Sequence, residues 1–423
     1  MVSESVSAPK KFLFCSLASQ GFLHPLVGLA RELSRRGHRV AFVTDVAFAL
    51  DLAELGLLRI PRSAAGDGPS FTLPIWYQPL AAAIQVKHID NALQSFAPDV
   101  LVTSSLCLGP LITAELHGLP VGILGLTPYL WPAEKALRHR EARSDDEQGR
   151  MWRFHDMTKY LNGARQLFKL APVEGDFLRT PLLGDLYMLR STRQLEPLAR
   201  VLPPQVHFVG SCLWEPPVRD AELASWLATA VASGLPILYV QHGSTFNLPR
   251  FWPSLVEVLG DRPVRVAVSS GRMHGEVEAV PDNFFVRPHV PQTVVLAKAR
   301  AVISSGNSTA VLGALEAGLP SLLIPGGGEQ VDLAARCVKA GAAVSCPAQD
   351  IVRDTFRAAF DRVLAEEDLR KGAVRLQKAL QRIAGFRRAA DLLDELAVSR
   401  QSVLRVRGGG ARPARPEEYA LHA

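Results

Sequence analysis

Apolar residues in this chain fall into short solid runs, with stretches of helical spacing between them. Lys11 to Ala18 (KFLFCSLA) is such a run, the pattern of a strand buried on both faces. A turn over Ser19 to Pro25 follows, then LVGLARELSRRG, apolar at helical spacing and stopped by Gly37. His38 to Thr44 is the next strand, so the first segment is a parallel, right-handed βαβ unit. Further strands are predicted at Asp99 to Thr103 and Pro120 to Leu124, with a helix near Leu111 to His117. The rhythm restarts at Pro236 to Gln241 and runs through Val264 to Ser269, Phe284 to Val286, Arg300 to Ile303 and Pro320 to Ile324. The stretch from about 129 to 195 lacks it and reads as helical, with Tyr129, Trp131, Trp152, Phe154, Tyr160 and Phe168 along it. Two doubly wound α/β domains follow from this pattern, over 1–212 and 234–400 with a linker at 213–233.

Composition narrows the class. With 423 residues, 48% hydrophobic and 21% charged, the chain has the balance of a globular protein with sizeable cores. The net charge of +6 owes much to Arg400 to Arg415, and 401–423 reads as a disordered basic tail. No basic stripe with interleaved aromatics marks a nucleic-acid surface. The five cysteines are scattered with no C-x-x-C pair, so buried thiols in a reducing compartment are expected rather than disulfides or zinc. No apolar stretch is long enough to span a bilayer, and the expected location is the cytoplasm.

The candidate chemistry lies between Ala299 and Ala335. An apolar run there breaks into Ser304, Ser305, Gly306, Asn307, Ser308 and Thr309 and leads into a helical pattern. A strand–turn–helix of this kind presents unpaired N–H groups at the positive end of the helix dipole, a site for a phosphate or diphosphate. After the next strand, Gly326 to Gly328 end in Glu329 and Gln330, an acid–amide pair suited to sugar hydroxyls. A nucleotide-sugar satisfies both halves.

Six matches carry a family resemblance: Gly21 to Ala30, Phe208-Val209-Gly210, His242 to Thr245, Val290-Pro291-Gln292, the SSGNST turn, and Pro325 to Gln330. Over roughly 11 to 395 the chain resembles the GT-B glycosyltransferases of small molecules, the bacterial macrolide enzymes and the UDP-glycosyltransferases. The resemblance implies two Rossmann-like domains facing an interdomain cleft, with the acceptor in the first and a UDP- or TDP-sugar in the second. It implies diphosphate contacts from Gly243, Ser244, Thr245 and Ser304 to Thr309. His289, Val290 and Gln292 would lie at the nucleobase and ribose, Glu329 and Gln330 at the sugar. Phe22, Trp76 and Trp131 are the acceptor-side candidates. The implied reaction is inverting transfer to a small, largely apolar acceptor such as a natural-product aglycone, without a cofactor or an obligatory metal. Partners are then the acceptor and the donor, with a homodimer left open.

Three positions depart from the family pattern. Phe22 stands where the family has its catalytic histidine, and His24, two places on, is the replacement candidate. Ser104 stands where an aspartate orients that base, and Ser304 or Ser305 where a histidine opens the diphosphate turn. An alcohol is a poor nucleophile until its proton leaves. Either His24 acts as the base, or the acceptor brings its own anion, or the chain is a catalytically impaired binding or accessory protein. A sugar-nucleotide epimerase shares the architecture but needs acidic residues at the sugar that cannot be placed here.

Overall fold

The computed structural model describes residues 8–45, 52–61, 70–72, 75–126, 130, 145–173, 180–196, 199–243, 248 and 250–405. The chain divides into two compact units. Unit 1 comprises Met1–Ser191, Leu198–Trp214 and Ile383–Ala423; unit 2 comprises Thr192–Pro197 and Glu215–Arg382.

Unit 1 is built on β1 (Lys11–Cys15), α1 (Gln20–Arg35), β2 (Arg39–Val43), β3 (Leu58–Arg59), α2 (Pro79–Ser95), β4 (Val100–Ser104), α3 (Gly109–His117), β5 (Val121–Gly125), α4 (Asp145–Leu167), β6 (Leu186–Leu189) and β7 (Val206–Phe208). Its seven strands pair in parallel in the order β3-β2-β1-β4-β5-β6-β7. Strand order reverses between β1 and β4, and in open α/β sheets ligands bind beyond the strand ends at such a point. Alternation along β1 sends Phe12 and Phe14 into the core on one face, with Leu23, Leu26 and Leu29 of α1. Leu13 and Cys15 enter the other core, with Val86 of α2 and Leu161 of α4.

Helix α1 begins at Gln20, so Ser19 to Pro25 is not the expected turn and His24 lies within a helix. Pro25 has no N–H to give the Gly21 carbonyl four residues back. The Arg190 guanidinium reaches that carbonyl instead, Nη1 to O at 3.4 Å, and so supports a helix the sequence reading stopped short of. The stretch expected to be helical throughout also contains β6, whose four buried residues (LYML) are too few to show a period.

Unit 2 follows with α5 (Ala221–Ala232), β8 (Ile237–Gln241), α6 (Phe251–Leu259), β9 (Arg265–Ser269), β10 (Phe284–Arg287), α7 (Gln292–Leu296), β11 (Ala301–Ser304), α8 (Ser308–Glu316), β12 (Ser321–Leu323), α9 (Glu329–Lys339), β13 (Ala343–Ser345), α10 (Arg353–Ala365) and α11 (Glu367–Gln381). Its parallel sheet has the order β10-β9-β8-β11-β12-β13, reversing between β8 and β11. The expected linker 213–233 is mostly structure of this unit. Asp220 caps α5 by accepting the Leu223 N–H at 2.9 Å, and Leu223 and Leu227 pack with Tyr239 and Phe285.

The last helix, α12 (Phe386–Ser399), was expected in the second domain but lies in unit 1. Its Leu392, Leu393 and Leu396 enter the core that α1 covers, and Arg36, which caps the end of α1, binds Asp391 and Asp394 at 2.8 and 2.9 Å. Gly28 allows the approach: a Cβ there would stand 2.2 Å from the Phe386 ring. The start of the expected disordered tail is placed as well. Val403 is buried and donates to the Asp185 carbonyl at 2.9 Å, and Arg405 donates to Pro204 at 2.8 Å. Residues 406–423 of the tail lie outside the described residues.

Candidate donor and acceptor sites

In unit 2 the two strands at the order reversal end in turns that touch. Past β8, Gly243 takes φ +85°, and a Cβ there would stand 2.9 Å from Ser305 Oγ and 3.4 Å from Asn307 Nδ2. Past β11, the Ser305 N–H donates to the Gln241 carbonyl at 3.3 Å and ties the turns together. Ser304 Oγ accepts the Gly306 N–H at 3.2 Å, and Gly306 turns the chain at φ +77°. Asn307 caps α8, its Oδ1 accepting the Ala310 N–H at 3.0 Å. The N–H groups of Ser308 and Thr309 then have no acceptor among the described residues, at the positive end of the helix.

A second layer stiffens this turn. Gln330 is buried at the start of α9; its Oε1 accepts the Gly326 N–H at 3.0 Å and its Nε2 donates to Ser305 Oγ at 3.4 Å. Asn307 Nδ2 donates to the same hydroxyl at 3.3 Å. Each amide has its oxygen engaged elsewhere, so both present N–H to Ser305, and the hydroxyl proton is left without an acceptor among the described residues. Glu329 is half-buried beside the glycines.

The Val290-Pro291-Gln292 turn is committed inward. The Val290 N–H donates to Ser269 Oγ at 3.2 Å and its carbonyl accepts the Tyr239 hydroxyl at 3.1 Å. Burial, with Glu215 adding to it, pushes the Tyr239 phenol up and keeps it a donor. Glu215 accepts the N–H groups of Gln292 and Thr293, at 3.2 and 3.0 Å. Gln292 is buried against α8, where a Cβ on Gly313 would stand 2.9 Å from its Oε1. His289 is exposed.

In unit 1 the acceptor-side candidates separate. Phe22 and Trp76 both pack on the core that holds Leu13 and Cys15, and the Trp76 ring meets Tyr160 edge-on at 5.4 Å. His24 is buried and stands edge-on to Trp214 at 5.6 Å, and Trp214 packs on the opposite core. At the end of β2 the buried Asp45 accepts the Phe71 N–H at 2.8 Å. Burial, with Asp45 adding to it, pushes the Cys107 thiol up to about 12. Among the described residues no three His, Cys, Asp or Glu side chains group as metal ligands, and no helix is long and apolar enough to cross a membrane.

Residues 255–382 match the family described as erythromycin biosynthesis protein CIII-like, C-terminal domain. Over 91% of its length the chain is 25% identical to 4'-demethylrebeccamycin synthase of Lentzea aerocolonigenes, covering 99% of that protein. It is 24% identical to the oleandomycin glycosyltransferase of Streptomyces antibioticus, covering 92% of this chain and 91% of that one. The solved structure of spinosyn rhamnosyltransferase SpnG complexed with thymidine diphosphate has the same fold, with a TM-score of 0.66, 18% identity, and 91% and 99% of the two chains covered. The chain is a glycosyltransferase of GT-B fold.

In this glycosyltransferase the structure gathers Gly243, Ser304 to Thr309 and Gln330 beyond the ends of the central strands β8 and β11. Ser244, Thr245 and Trp131 lie outside the described residues. His24 and Phe22, neighbours in sequence, are divided between two cores. Sequence reasoning missed Asp45, Arg190 and Glu215. Asp45 carried a signal, an acid directly past a strand end; Glu215 and Arg190 matter through contacts distant in sequence.

Proposed function

We propose that this glycosyltransferase inverts the anomeric centre of a UDP- or TDP-sugar as it moves the sugar to a small, largely apolar acceptor. The observation that carries the reading is the double turn of Gly243 and Ser304 to Thr309, with two helix N–H groups and a hydroxyl proton left over at a sheet switch point. A departing nucleoside diphosphate gains negative charge in the transition state, and fixed donors aimed at that charge lower the barrier. Ser305 gives a neutral hydrogen bond where the family pattern has a histidine. The exchange costs about 1 kcal/mol and weakens binding without abolishing it. Glu329 would accept sugar hydroxyls, while Gln330, whose amide braces Ser305, keeps one N–H for the same purpose. The thymidine diphosphate bound by the spinosyn enzyme supports a pyrimidine nucleotide here.

Calorimetric titration with UDP and TDP, free and as glucose conjugates, tests the reading. Micromolar binding to one of them, lost in Gly243→Ala, is expected. No binding to any of the four would favour an accessory protein without a donor.

A further inference from the structure

Ser104 closes β4 and Ser105 follows it, beside the switch point of unit 1. They are 2% and 6% exposed, and neither hydroxyl has a hydrogen-bond partner among the described residues. Three other hydroxyls at these strand ends are satisfied: Thr44 donates to the Ser16 carbonyl at 2.8 Å, Thr103 to Cys15 at 2.8 Å, and Ser16 to Leu17 at 2.9 Å, while Ser70, beside Phe71, also has no partner among the described residues. Buried hydroxyls are nearly always paired, with protein, water or ligand, so two adjacent exceptions at the switch point of the sheet mark a place where a polar ligand atom can be received. Alternation puts Ser104 on the face of Val100 and Val102, the face that α1 covers.

Among the described residues the ionisable groups near these strand ends are few. Phe22 has no ionisable proton, and His24 is packed edge-on to Trp214. Burial raises the Cys15 and Cys107 thiols and keeps them neutral. Asp45 binds the Phe71 N–H, and the Arg190 guanidinium lies at the Gly21 carbonyl where α1 begins. A carboxylate at the end of β4 would repel an anion, whereas two hydroxyls donate to one, with a guanidinium near the same helix start.

We propose that Ser104 and Ser105 bind the reacting group of the acceptor, and that this group is an oxyanion, a carboxylate or the phenolate of an acidic phenol. The proposal rests on the glycosyltransferase reading above. The acceptor oxyanion attacks the anomeric carbon and forms the new C–O bond. The bond from that carbon to the diphosphate oxygen breaks, and its electron pair leaves with the nucleoside diphosphate. No proton moves, so the histidine base replaced by Phe22 is not required.

The test compares two acceptors of one aryl skeleton, the carboxylic acid and the matching primary alcohol, with UDP- and TDP-glucose and the full chain from about pH 5 to 9. The acid is expected to react with kcat/KM at least about 100-fold higher, on a pH profile that follows its own ionisation and is flat above it. Ser104→Ala and Ser105→Ala should each raise the KM for the acid about tenfold with kcat nearly unchanged and no loss of thermal stability. Equal use of the alcohol, a rate governed by an enzyme group near neutrality, an unchanged KM in both variants, or nucleotide binding without transfer to the acid would overturn the proposal. Failure to bind either nucleotide would instead overturn the glycosyltransferase reading.

Discussion

Gly243→Ala isolates the double turn. The added methyl group meets two separate penalties. At φ +85° an alanine is in the left-handed region, which costs about 1–2 kcal/mol. Its Cβ would also stand 2.9 Å from Ser305 Oγ, inside ordinary contact distance. Ser305 cannot yield freely, because Asn307 and Gln330 both hold its hydroxyl. Relief therefore means breaking one or both of these bonds, at about 1 kcal/mol each. Gly234→Ala supplies the control: φ is +68°, yet nothing lies within 4 Å of the added carbon. Denaturant unfolding of unit 2 should show a loss of about 1–2 kcal/mol for Gly234→Ala and about 2–4 kcal/mol for Gly243→Ala. Calorimetry should show an unchanged Kd for UDP or TDP in Gly234→Ala and a rise of at least about 30-fold in Gly243→Ala. An equal loss of stability in both, or an unaltered Kd in Gly243→Ala, would refute the crowding argument or the diphosphate assignment respectively.

Glu329→Ala should lower turnover about 100-fold with little change in unfolding midpoint, measured by sugar transfer and thermal melts; near-normal turnover removes the carboxylate from the sugar site. His24→Ala should cost about 1–3 kcal/mol of stability through lost packing on Trp214 and leave transfer to an acidic acceptor within about threefold. A collapse of that transfer in a folded variant would make His24 the base. His207 is buried, donates to the Val403 carbonyl at 3.0 Å, and is held down at about 4, chiefly by desolvation. Between about pH 6.5 and 4 the unfolded chain binds more protons than the fold. Stability is therefore full above that range and falls with pH through it, by up to about 3 kcal/mol. Urea midpoints at pH 7.5 and 5 should differ in the native protein and converge in His207→Gln.

The parallel sheets were legible because their central strands are solid apolar runs between helical stretches, as at Lys11 to Cys15 and Ile237 to Gln241. The turn at Ser304 to Thr309 was legible as a strand-to-helix turn because these residues encode a local structure, a strand end and an N-cap, that depends on few distant residues. What failed depended on partners far along the chain. Pro25 marked a helix boundary until Arg190 took the Gly21 carbonyl. Helix α12 reads by period as part of the domain before it, and only Gly28 of α1 and Arg36 at its end reveal where it packs. Val290 and Gln292 matched a motif, but the bonds from Ser269, Tyr239 and Glu215 decide which of their groups are spent internally.

The return of α12 to unit 1 sets an order of events during synthesis. The chain leaves unit 1 at Trp214 and comes back at Ile383, so all of unit 2 emerges from the ribosome before the helix that covers α1 exists. At about 5–20 residues per second that interval is roughly 10–30 s. Throughout it, the groove at Gly28 and the apolar side chains that meet Leu392, Leu393 and Leu396 remain open to water. Unit 2 is contiguous apart from Thr192–Pro197 and can close early, whereas unit 1 has all seven strands of its sheet but waits for the helix that covers one face. The N-terminal half of this enzyme is thus the first made and the last to be complete.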